Sequence, residues 1–125
     1  MKKYIEKYGK ELVQKSLRNK RIFWHNKNRI WVKMEESSNN LRRFRFEFSN
    51  LIQHVSICVY VQKIGTTYTV TDCGYSATKY LENNLSTEKN IILSEIKFKN
   101  VPSNKLVKAI CECASKSYKL IATGK

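Results

Sequence analysis

A chain of 125 residues with 42% hydrophobic and 11% aromatic content has the size and composition of one folded domain, which excludes intrinsic disorder. No apolar run approaches the roughly 18 residues of a membrane span, and the basic N-terminus lacks the apolar stretch of a secretory signal, so the expectation is a cytoplasmic protein with no membrane partner and reduced cysteines. The formal net charge is +14, and residues 1–45 hold most of it, with 14 basic and 4 acidic residues against 10 and 6 in residues 46–125. A basic end on a nearly neutral body points to a polyanionic partner.

Residues 1–18 predict a helix. Tyr4, Ile5, Tyr8 and Leu12 gather on one side of the wheel, and Lys3, Lys7, Lys10, Gln14 and Arg18 form a cationic stripe on the other. Glu6–Lys10 and Glu11–Lys15 have the favoured i,i+4 orientation. Residues 20–34 predict a β-hairpin, with strands 21–24 and 29–32 around a turn at 25–28 where two asparagines tolerate left-handed backbone. Trp24 and Trp31 stand among Lys20, Arg21, Lys27 and Arg29, a mixture suited to base stacking and phosphate contact, although either tryptophan could instead pack in the core. Glu35 to Asn40 reads as a polar loop.

Leu41 to Phe48 alternates cleanly, with Phe44, Phe46 and Phe48 inward and Arg43, Arg45 and Glu47 outward. Arg42, Arg43 and Arg45 form the densest cationic spot in the chain, and arginine offers planar bidentate contacts to phosphate. The stretch from Val55 to Gly74 is the strongest element. Val55, Ile57, Val59 and Val61 alternate with polar residues, Lys63 to Thr66 form a connection around Gly65, and Thr67 to Thr71 form the return strand. Asp72-Cys73-Gly74 closes it with turn chemistry. This hairpin is expected in the middle of the sheet.

Ser76 is expected to cap a short helix over 77–83, and a helical turn is expected from Ser86 to Leu93. Glu95 to Lys99 predicts a strand with Ile96 and Phe98 inward. Pro102 breaks the chain, and Ser103 is expected to cap a helix over 104–118 whose inner stripe runs through Leu106, Val107, Ile110, Cys111, Ala114, Tyr118 and Ile121. The order of elements predicts a single α+β domain: a mostly antiparallel sheet with an N-terminal helix, a short middle helix and a C-terminal helix packed on it. Residues 1–45 form its basic helix-plus-hairpin segment and residues 46–125 its body.

From Phe48 to Leu120 the chain resembles a family of small uncharacterised phage and mobile-element proteins. The resemblance lies in the strand HVSICVYVQK, the segment TTYTVTDCGYSATKYLE, the strand SEIKFKNV and the final helix KLVKAICECASKSYKL. In that family the second strand usually ends in two acidic residues before glycine; Asp72 matches the first and Cys73 replaces the second. The resemblance implies an accessory protein of a phage or mobile element in a prokaryotic host cell, with no known activity.

Four cysteines, Cys58, Cys73, Cys111 and Cys113, invite a metal reading. Cys111 and Cys113 lie on one predicted helix, where positions two apart diverge by about 200°, so they do not form a chelating pair. Core thiols are the expectation, with no metal and no cofactor, and no orienting context supports a Cys–His nucleophile with His25 or His54. Asp72 with Glu95 and Lys97 loosely matches the D…E-x-K pattern of metal-dependent nucleases, in which carboxylates hold the ion and lysine assists water. The pattern is short and frequent by chance in a lysine-rich chain.

The reading that results is a non-catalytic basic accessory protein that binds nucleic acid or a nucleoprotein through its N-terminal third. Binding would centre on Arg42, Arg43 and Arg45, helped by Lys20, Arg21, Lys27 and Arg29, with Lys105 and Lys108 of the final helix as bystanders. A concrete version is an anti-defence inhibitor that occupies a nucleic-acid-guided host complex. The alternatives are a D…E-x-K nuclease and a structural protein–protein module.

Overall fold

The computed structural model describes residues 9–19, 23–25, 30–36, 43–50, 55–83 and 95–123. It is an α+β fold. Six strands, β1 (Phe23–His25), β2 (Ile30–Glu36), β3 (Arg43–Asn50), β4 (Val55–Ile64), β5 (Thr67–Thr71) and β6 (Lys97–Val101), form one antiparallel sheet in the order of the chain. Helix α1 (Lys10–Asn19) precedes the sheet, α2 (Tyr75–Asn83) lies between β5 and β6, and α3 (Leu106–Thr123) ends the fold. No described helix is long and apolar enough to cross a membrane.

Period-2 alternation makes β3 and β4 two-faced. Phe44, Phe46 and Phe48 of β3 sit opposite Val61, Val59 and Ile57 of β4, and all six are buried. Each such side chain contributes about 1.5–3 kcal/mol when fully withdrawn from water. Phe44 and Phe46 meet edge to face with centroids 5.7 Å apart. Helix α3 covers this face with Leu106, Ile110, Cys113 and Ala114, and α1 adds Val13 to the same core. Helix α2 packs on α3.

The β4–β5 hairpin lies inside the sheet, between β3 and β6. Its turn is tighter than the alternation suggests. Strand β4 continues to Ile64, which pairs with Thr67, so only Gly65 and Thr66 form the turn. Gly65 takes φ +62°, the left-handed value that the first central position of such a turn demands. Strand β6 carries one extra residue opposite β5, because Val70 pairs with Phe98 and Tyr68 with Val101. Asn100 absorbs that bulge at φ +57°.

Several boundaries differ from those read in the sequence. In α1 Val13 is buried and Leu17 half-buried, with buried Gly9 just before the helix, while Lys10, Gln14 and Arg18 are outward as expected; Tyr4, Ile5, Tyr8 and the side chain of Leu12 lie outside the described residues. The expected 20–34 hairpin is present, with Trp24 opposite Trp31, but β2 runs on through Glu36. Glu35 and Glu36 pair in register with Arg45 and Phe44, so sheet pairing overrides their polar composition. Ser103 does not cap the last helix. Residues Ser103–Lys105 form a 3₁₀ turn behind Pro102 without a side-chain cap, and α3 extends to Thr123. Its buried face also takes in Cys113, Ser117 and Leu120. The helical turn expected over 86–93 falls outside the described residues.

Candidate nucleic-acid interface

Among the described residues the helices pack on one face of the sheet, and much of the other face is accessible. Arg43, Ser56, Gln62 and Lys97 are exposed there, and Arg45, Glu47, Cys58, Tyr60, Thr69 and Thr71 are half-buried. The pairing puts these residues in rows across the strands: Arg43 opposite Gln62, Arg45 opposite Tyr60, Tyr60 opposite Thr71 and Thr71 opposite Lys97. A groove of about 440 Å³ runs over them, lined by Arg43, Tyr60, Gln62, Thr71, Glu95 and Lys97 among others. It offers two cations, an aromatic ring and hydroxyl and amide groups on rigid strands, the mixture that single-stranded nucleic acid requires.

Of the arginine cluster, Arg43 is the exposed member and Arg45 is half-buried; Arg42 lies outside the described residues. Glu47 is held by the neighbouring row, the Ser49–Ser56 pair, and accepts hydrogen bonds from Ser49 at 3.3 Å and Ser56 at 3.0 Å. Trp24 and Trp31 form a register pair, and Trp31 stands opposite Ser49 in the next strand. Lys20, Arg21, Lys27 and Arg29 lie outside the described residues.

Glu95, which the D…E-x-K pattern offers as a metal ligand, belongs to the groove. Thr71 donates its hydroxyl to Glu95 Oε1 at 2.5 Å, and Lys97 Nζ stands 4.0 Å from the same oxygen. The backbone N–H of Cys73 in turn donates to Thr71 Oγ1 at 3.0 Å. Outward parity marks Tyr60 and Thr71 one strand at a time, and only the pairings of β4 with β5 and of β5 with β6 group them with Lys97.

Asp72 has a different role from the one the D…E-x-K pattern suggests. It is fully buried. Its Oδ1 accepts the N–H groups of Gly74 at 2.9 Å and Ile96 at 3.0 Å, and its Oδ2 accepts the N–H of Ser76 at 3.2 Å. The backbone adds a bond from Asp72 N–H to the Ile96 carbonyl at 3.1 Å. Asp72, rather than Ser76, therefore supplies the side-chain acceptor at the start of α2, because Cys73 and Gly74 take φ +55° and +77° and turn the chain back over the carboxylate. Ser76 lies within the first turn, buried, with its hydroxyl unpartnered. Asp72 does not line the groove that holds Glu95 and Lys97. No group of three or more metal-binding side chains occurs among the described residues.

The cysteines divide by place. Cys111 and Cys113 are buried on α3, and burial pushes both thiols up to about 12. After burial, the charge of Lys10 on α1 lowers the Cys111 thiol, whereas that of Asp72, just before α2, raises the Cys113 thiol further. Cys73 is exposed, and Cys58 is half-buried opposite Glu47 on the face away from the helices, which corrects the assignment of both to the core. Its thiol is raised by partial burial and by the carboxylates of Glu95 and Asp72, against the lowering effect of Lys97 and the Thr71 hydroxyl.

No family model, curated protein or solved structure matches this chain.

Proposed function

We propose that this protein is a non-catalytic, basic accessory protein that binds nucleic acid or a nucleoprotein. The observation that carries the reading is the open sheet face, where exposed Arg43 and Lys97 border a groove containing Tyr60. The charge distribution supports it, since residues 1–45 hold a net +10 of the total +14. Cations fixed on strands lose less entropy on binding than a mobile lysine-rich tail would. The phage or mobile-element setting rests on the resemblance of residues 48–120, and an anti-defence inhibitor of a nucleic-acid-guided complex is its most concrete form. The nuclease alternative has less support, because both oxygens of Asp72 are engaged by backbone N–H groups.

The test is fluorescence anisotropy with labelled 20-nucleotide single-stranded DNA and RNA and the corresponding duplexes. Binding should weaken steeply as salt rises, because neutralised phosphates release counterions. Arg43→Ala with Arg45→Ala should weaken it by about 2–4 kcal/mol if each guanidinium makes one charge-assisted contact, and circular dichroism should be unchanged. Absence of binding to every probe at low salt would refute the proposal.

A further inference from the structure

Three depressions on this molecule share residues. The groove on the open face includes Gln62, Thr69 and Lys97. A second, of about 310 Å³, contains the same three residues with Lys99 and Asn100. A third, of about 550 Å³, contains Lys97, Lys99 and Asn100 and continues to Lys105, Lys108 and Glu112. Neighbouring depressions share residues of β6, the last strand in the sheet order. Their linings therefore trace one trough-like path from the face of Arg43 and Gln62, across β6, to the start of α3.

The charges along this trough are one-sided. Arg43, Lys97, Lys99, Lys105 and Lys108 line it, and two acidic residues, Glu95 and Glu112, also do. Glu95 is tied by Thr71 and Lys97, and Glu112 stands 4.0 Å from Lys108. The bulge in β6 is what arranges the lysines. Lys97 and Lys99 lie two apart on one face of the strand, about 6.6 Å along it. The extra residue at Asn100 then resets the alternation so that Val101 returns to the core. Lys105 follows on the 3₁₀ turn and Lys108 one turn into α3, where no acidic residue stands in the first turn to oppose them.

From this continuity we infer that the trough is the track of a single nucleic-acid strand, whose sugar–phosphate backbone runs from Arg43 past Lys97 and Lys99 to Lys105 and Lys108. The inference rests on the proposed function and extends it to the edge strand and to the start of the last helix, where the sequence presents Lys105 and Lys108 as bystanders. A linear polyanion fits a trough that bends around an edge, whereas a flat anionic membrane would touch only part of it. Between the cations the walls are mixed: Gln62, Thr67, Thr69 and Asn100 are polar, and exposed Ile64 adds an apolar surface on which a base can rest.

The experiment compares the wild-type chain with Lys99→Gln/Lys105→Gln and, as an equal-charge control away from the trough, Lys79→Gln/Lys119→Gln. Each is titrated by anisotropy with a labelled 20-nucleotide oligothymidylate over a range of salt, and with vesicles of phosphatidylserine and phosphatidylcholine. The trough variant should bind the oligonucleotide at least tenfold more weakly, and its slope of log K against log salt should fall by about 1.4, two contacts of about 0.7 each. The control should change by less than threefold. Lys99, Lys105 and Lys119 are exposed and Lys79 is half-buried, and glutamine keeps most of the side-chain length, so unchanged thermal melts will confirm folding. Equal losses in both variants, or no loss in the trough variant while Arg43→Ala/Arg45→Ala still weakens binding, would overturn the track and leave the proposed function standing. A wild-type protein that ignores the oligonucleotide would overturn both, and one that instead binds vesicles through Lys99 and Lys105 would assign the surface to a membrane.

Discussion

At the scale of single residues, Asp72 has the most to lose. Three backbone N–H groups from two separate stretches of chain converge on its side chain, in a place without solvent. A buried donor stripped of its acceptor costs about 1–3 kcal/mol. Asp72→Ala should therefore lower the urea-unfolding free energy by about 3–5 kcal/mol, whereas Asp72→Asn, which keeps one oxygen, should cost about 1–2 kcal/mol. A loss under 1 kcal/mol for the alanine variant would contradict this account of the turn. The buried thiols give a second prediction. Their folded pKa of about 12 lies above the ordinary thiol value, so their contribution is complete below about pH 8.5 and declines as pH rises toward 12. Unfolded chains lose these protons first, and stability should fall by up to about 1.4 kcal/mol per pH unit for each thiol. Cys113→Ala should flatten the decline between pH 9 and 11, measured against wild type by urea midpoints.

At the scale of elements, the order of stability follows from burial. Strand β4 has neighbours on both sides and places Ile57, Val59 and Val61 in the core, while β6 is an edge with Lys97, Lys99 and Asn100 exposed. Native-state hydrogen exchange should find the amides of Ile57, Val59 and Val70 among the slowest and that of Lys99 far faster. Fast exchange at Val59 would mean that the hairpin is not the sheet's interior. These strands were legible in the sequence because alternation of Phe44, Phe46 and Phe48 with arginines survives any register. The extension of β2 through Glu35 and Glu36 was not legible, since glutamates enter a strand there only because β3 offers Arg45 and Phe44 as partners. The cap of α2 was misread for a related reason: Ser76 has the right chemistry, but two successive left-handed residues hand the task to Asp72. Arg43 could be picked out by its outward parity, whereas the grouping of Tyr60, Thr71 and Lys97 depends on the pairings of β4 with β5 and β5 with β6.

At the scale of the whole molecule, a charge of +14 on 125 residues opposes compaction. Salt screens exposed like charges, with a Debye length of about 10 Å at 0.1 M, so it should stabilise this fold while weakening its grip on a polyanion. Raising sodium chloride from 20 to 300 mM should increase stability by about 1 kcal/mol, equivalent to a few degrees in Tm for a domain of this size. A Tm that falls with salt would show that favourable ion pairs, such as Glu11–Lys15 at 2.9 Å, outweigh the repulsion. The opposite responses of folding and binding to one variable separate the two effects in a single titration.

The bonds between Asp72 and Ile96 fasten two points that are 24 residues apart in the chain. The same carboxylate also receives the N–H groups of Gly74 and Ser76, so the start of α2 and the entry to β6 share one clasp. Such a clasp couples two elements that local sequence keeps apart: weakening it should loosen the start of α2 and the entry to β6 together, rather than either alone.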